Sequence, residues 1–114
     1  MAIELTKSAE SNDNRGSFIW ERSVDVASGE TSEWLILPDG AGAVQTWLAF
    51  LIPDSSARIE ATVSSRAKVI AGTAEAYAWS AGNVAVNTGG TFENVSALRV
   101  VSVTGSATLE VRVS

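Results

Sequence analysis

The chain contains no cysteine and no histidine, one methionine and two prolines. Without cysteine there is no disulfide framework and no thiolate to act as nucleophile or metal ligand. Without histidine the side chain most often used as a general base near neutral pH, and the commonest metal ligand, is missing. Stability must come from packing and from assembly with other subunits. Basic residues are also few: eight Lys and Arg stand against thirteen Asp and Glu, for a net charge of −5 and a pI near 4.6. The eight are scattered, and phosphate neutralisation needs them clustered, so no nucleic-acid partner is expected. No apolar run approaches the ~20 residues that span a bilayer, so no membrane partner is expected either. Met1-Ala2-Ile3-Glu4 lacks the basic and apolar regions of a secretion signal.

What is present points to one folded domain. The 114 residues are 46% hydrophobic and 18% charged, with mean hydropathy +0.16. That is enough apolar matter for a real core, with some left for an interface. The pattern of that matter is strand-like. Residues 96–114 alternate around a tight turn at 103–107, so that Leu98, Val100, Leu109, Val111 and Val113 can share a buried face while Arg99, Glu110 and Arg112 face water. This reads as a hairpin. Strand patches are expected at 18–20, 23–27 and 33–37, the last stopped by Pro38-Asp39-Gly40. Residues 43–52 are the most hydrophobic run and read as a central strand covered on both faces. Residues 58–64 alternate as a half-exposed strand. Ser65 through Gly72 offers a cap, a helical turn and a glycine stop, placed as a crossing between sheets. Short strands at 74–79 and 83–87 follow, joined at Ser80-Ala81-Gly82, and Thr88-Gly89-Gly90 leads toward the final hairpin.

About eight short strands separated by turns indicate an all-β, single-domain antiparallel β-sandwich, jelly-roll-like, with at most one short helical turn. Residues 18–114 form the sandwich. Residues 1–17, polar and turn-rich over 8–17, form an extended N-terminal arm or an edge strand. If they are a detached arm, their removal leaves the domain's stability unchanged.

The side chains offer little chemistry. Asp25, Glu60, Glu75, Glu93 and Glu110 have no visible pairing in a cleft, and the Ser, Thr and Lys residues have no histidine to activate them. No enzyme activity and no cofactor are therefore expected. Glu10, Asn12, Asn14 and Glu21 loosely match the oxygen spacing of a calcium loop. Arg15 stands where the turn glycine belongs, so the segment reads as a solvated loop and no metal is expected. Thr88-Gly89-Gly90-Thr91 has neither the following lysine nor the helix of a phosphate loop. Four tryptophans are many for this length. Trp47 and Trp79, inside apolar strands, are assigned to the core. Trp20 and Trp34, beside Glu21 and Glu33, are assigned to a protein contact, together with Ile3 and Leu5 of the N-terminal segment.

The stretches 57–65, 69–74, 95–100 and 104–111, short runs of Thr, Ser, Ala and Val broken by glycine turns, resemble the small β-rich virion structural proteins of tailed bacteriophages. The resemblance covers about a quarter of the chain. It implies a decoration or cement protein on the outer capsid surface, binding the major capsid protein or another virion protein, as a homodimer or homotrimer. A tail- or fibre-associated host-binding domain, or a carbohydrate-binding module that stacks sugars on exposed tryptophans, is the alternative.

Overall fold

In a computed structural model of the chain, residues 2–7, 20–41 and 45–114 are described. The strand patterns condense into ten strands and one helix: β1 (Ala2–Glu4), β2 (Thr6–Lys7), β3 (Trp20–Val26), β4 (Trp34–Ile36), β5 (Thr46–Pro53), β6 (Ser56–Thr62), α1 (Arg66–Ala71), β7 (Tyr77–Ala78), β8 (Thr88–Glu93), β9 (Ala97–Thr104) and β10 (Ala107–Val113). They form two five-stranded sheets, ordered β1-β4-β9-β6-β7 and β2-β3-β10-β5-β8. Without the two edge strands β1 and β2, the sheets β4-β9-β6-β7 and β3-β10-β5-β8 have the eight-strand, double Greek-key order of a jelly roll. All pairings are antiparallel except β1 with β4.

The core lies between the sheets. Trp47, Ala49 and Leu51 of β5 and Leu109, Val111 and Val113 of β10 meet Ile59 and Ala61 of β6 and Leu98 and Val100 of β9. The buried face expected for 96–114 is thus correct, but the hairpin is not. β9 and β10 sit in opposite sheets, and the turn at Gly105 (φ 72°) carries the chain from one to the other. Alternation marks which residues point inward and is silent on which strand lies alongside.

Helix α1 is built as its sequence suggests. The Ser65 hydroxyl accepts the Lys68 N–H, and Gly72, at φ 81°, closes the helix with its N–H on the carbonyls of Lys68 and Val69. It does not cross between sheets, because β6 and β7 flank it in one sheet. It lies on that sheet's outer face instead, where Val69 packs with Trp34, Ile36 and Ala97 in a second small core. Over residues 59–62 β6 is buried on both faces, Glu60 and Thr62 included, and not half exposed.

The N-terminal segment is an edge strand in each sheet. β1 pairs with β4 in register Ala2 to Trp34, and β2 pairs with β3. Between them Leu5 is 1% exposed, and its N–H donates to the Ile36 carbonyl at 2.7 Å. Residues 2–7 are therefore integral to the sandwich and not a detached arm. Residues 8–17, the first part of the strand patch at 18–20, and Glu10, Asn12 and Asn14 of the calcium-like spacing lie outside the described residues.

One further expectation is revised: residues 83–87 contribute only an isolated bridge between Val84 and Ala57. Thr88-Gly89-Gly90 opens β8. Glycine is tolerated there because the Trp79 ring occupies the space a side chain would need: a Cβ at position 90 would lie 2.9 Å from Trp79 Cζ3.

Candidate functional site

The two outer faces of the sandwich differ. On the β4-β9-β6 side, α1 covers one end, and the rest carries a closed ion-pair network. Glu60, 9% exposed, accepts from Arg58 Nε at 3.0 Å and from Arg99 Nε and Nη2 at 2.9 and 2.7 Å. The Arg99 guanidinium also lies over the Trp34 ring, 4.4 Å from its centroid. Burial pushes the Glu60 pKa up, but hydrogen bonds to Arg99 and Arg58 and their positive charges outweigh it, leaving the carboxyl below its ordinary value. The network ties β6 to the neighbouring β9, with Arg58 and Arg99 still partly exposed.

Among the described residues no helix lies over the opposite face, formed by β3, β10, β5 and β8. Strand β5 was expected to be covered on both sides, yet its burial alternates: Trp47, Ala49 and Leu51 point into the core, while Leu48 and Phe50 point to solvent, 51% and 41% exposed. The register sets their neighbours. Glu21, Arg112, Leu48 and Thr91 form one row across the four strands, and Ser23, Glu110, Phe50 and Gly89 form the next. Beyond the second row the Thr108 hydroxyl donates to Asp25 at 2.6 Å, with Ile52 beside it. Arg112 Nε stands 3.7 Å from the Glu21 carboxylate. The face is a shallow, open depression of about 580 Å³, lined by two large apolar residues, Leu48 and Phe50, two glutamates, Glu21 and Glu110, and two arginines, Arg22 and Arg112. Such a strip suits contact with another surface better than enclosure of a small molecule.

A second depression, about 480 Å³, lies at the β7–β8 edge. Tyr77, 48% exposed, stands at its mouth, and the Trp79 and Phe92 rings stack at its base, with centroids 6.3 Å apart. Trp79 is itself buried, its indole N–H donating to the Gly82 carbonyl at 2.6 Å.

The residues assigned in advance to a protein contact are placed elsewhere. Leu5 and Trp34, 1% and 4% exposed, are buried: Leu5 in the main core and Trp34 under α1 and Arg99. Trp34 was judged by the acidic residue beside it, which lies just outside β4, and Leu5 by its place in a segment read as an arm. Ile3 and Trp20 are half-buried and packed against the core, with Lys7 Nζ 5.5 Å from the centre of the Trp20 ring. The core assignments of Trp47 and Trp79 are correct. Leu48 and Phe50 were missed because they sit in an unbroken apolar run, where alternation cannot be seen. Among the described residues no three His, Cys, Asp or Glu side chains cluster in a way that could hold a metal ion. No described helix is long and apolar enough to cross a membrane.

No family model and no curated protein matches the chain. Solved structures that are similar include two of known context. One, from work on the mechanism of oxalate oxidase, aligns with 83% of this chain at 16% identity and a TM-score of 0.51, and the chain spans 41% of its length. The other, from the disulfide-linked pili of Bacillus endospore appendages, aligns with 82% of this chain and 86% of its own at 15% identity, with a TM-score of 0.38. The first agrees with the β-sandwich architecture described above and is a likeness of fold alone.

Proposed function

We propose that this chain is a non-enzymatic structural component of a bacteriophage virion, a decoration protein that binds the outer capsid surface and reinforces it. The observation that carries the reading is the open β3-β10-β5-β8 face, where Leu48 and Phe50 stand exposed on a flat sheet. A protein that holds to a repetitive lattice needs shallow contact surfaces rather than a deep pocket, and repeated weak contacts sum by avidity. The jelly roll is compatible, being an architecture that viral capsid domains use alongside lectins and cupins. On this reading the partner is the major capsid protein or another virion protein, and the location is the capsid exterior.

The test is the copy number of this chain relative to the major capsid protein in purified particles, by quantitative mass spectrometry. A ratio comparable to the capsid lattice is expected. A few copies per particle would move the protein to the tail or fibre, and absence would overturn the virion reading. A second reading, a carbohydrate-binding module, has one specific observation behind it: the half-exposed Tyr77 lines the same depression as Trp79 and Phe92. Glycan-array binding abolished by Tyr77→Ala, with no association with particles, would favour it.

A further inference from the structure

We infer that the open sheet face is a self-complementary dimer surface, which pairs with a second copy of this chain about a two-fold axis. The inference rests on the reading of this face as a contact surface, not on the virion location.

The argument is one of register. Arg112 and Leu48 lie side by side in one row, and Glu110 and Phe50 in the next, with each pair on the same two central strands, β10 and β5. A two-fold axis in the interface plane, perpendicular to the strands and passing between the rows, exchanges the rows and keeps each strand opposite its own copy. Arg112 then faces Glu110 of the second copy, and Glu110 faces its Arg112. Leu48 and Phe50 meet their counterparts in the same reciprocal way. A two-fold interface requires this self-complementarity, in which every contact occurs twice. Flanking positions fit as well: Glu21 falls opposite Ser23, and Thr91 opposite Gly89, so no like charges face each other. The lateral Glu21–Arg112 pair holds the guanidinium within this face.

Packing geometry allows the approach. Sheets stack about 10 Å apart with strands about 30° from aligned, the separation that side chains of leucine and phenylalanine size fill. Four strands spaced by about 4.8 Å and three outward residues along each give roughly 400 Å² per copy, or about 800 Å² in all. That is below the size of stable interfaces, so the expected dimer is weak and transient, with a concentration-dependent equilibrium in the micromolar range or above.

Sedimentation equilibrium of the whole chain over roughly a thousandfold range of concentration tests the inference. A monomer–dimer equilibrium is expected, and Leu48→Glu should abolish it. Glu110→Arg and Arg112→Glu should each weaken the dimer at least about tenfold, because each sets like charges face to face across the axis. The double variant Glu110→Arg/Arg112→Glu restores opposite charges and should recover most of the affinity. All three substituted side chains point outward, and unchanged thermal midpoints at low concentration would confirm that the monomer stays folded. A chain monomeric throughout, a dimer indifferent to Leu48→Glu, or a double variant no better than its parents would overturn the two-fold arrangement. A monomer present in particles at lattice copy number would overturn the dimer alone. A dimer absent from particles would overturn the virion reading alone.

Discussion

Replacing Leu5 by alanine distinguishes a woven N-terminus from a detached arm. Leu5 is 1% exposed, belongs to the main core and is anchored by its N–H on Ile36. Leu-to-Ala changes at such sites cost about 2–5 kcal/mol, from lost transfer energy and the cavity left behind. The middle of that range suits a site near a sheet edge, where neighbours can partly close the gap. For 114 residues the entropy of unfolding near the midpoint is about 0.24 kcal/mol/K, so a loss of about 3 kcal/mol lowers Tm by about 12 °C. Differential scanning calorimetry at low protein concentration reads this directly. Glu4→Ala is the control: it removes a surface pair with Arg66, 2.7 Å apart between partly exposed side chains, and should cost under about 1 kcal/mol. A Leu5→Ala shift of less than about 3 °C would refute the argument and return residues 2–7 to the role of a separable arm.

Two further outcomes follow from buried contacts. Glu60→Gln should cost about 2 kcal/mol at pH 7, less than a fully buried pair because Arg58 and Arg99 keep some solvent contact. Since the folded carboxyl titrates below its ordinary value, its contribution is present above the unfolded pKa, about 4.3, and is lost as pH falls through the folded one. The stability gap between wild type and variant in urea melts should therefore shrink on acidification below about pH 4, and a gap constant with pH would count against the assignment. Gly90→Ala places a methyl against the Trp79 ring, which its bond to Gly82 prevents from swinging away. A loss of about 1–3 kcal/mol is expected, with a change in tryptophan emission, and a neutral result would mean that the ring is not fixed.

The sequence disclosed the fold through particular residues. The alternation of Leu98 and Val100 and of Leu109, Val111 and Val113 gave the inner face of two strands, and Ser65 with Gly72 gave both ends of the helix. Pairing was hidden, because a period of two is the same whether a strand turns back beside its predecessor or crosses to the other sheet. Trp34 looked exposed beside Glu33, which lies just outside β4, and Leu5 looked exposed because its segment, polar over 8–17, read as an arm. Leu48 and Phe50 looked buried because Trp47, Ala49 and Leu51 beside them are apolar too. The surface was thus least legible where hydrophobicity serves core and contact face on one strand.

The order of the strands also constrains how this chain can be made. β9 lies between β4 and β6, and β10 between β3 and β5, so residues 97–113 supply the middle of both sheets. A nascent chain that has emerged only as far as β8 holds two pairs of strands with nothing between them, each leaving its backbone donors and acceptors open. Folding must wait for the last segment to insert twice, once into each sheet, a late and non-local step that slows the reaction. During synthesis at about 5–20 residues per second, the apolar faces of β5 and β6 stay uncovered until translation has passed Val113. The protein is therefore most exposed to misassembly as a nascent chain, and a truncation removing β10 should leave no stable subdomain behind.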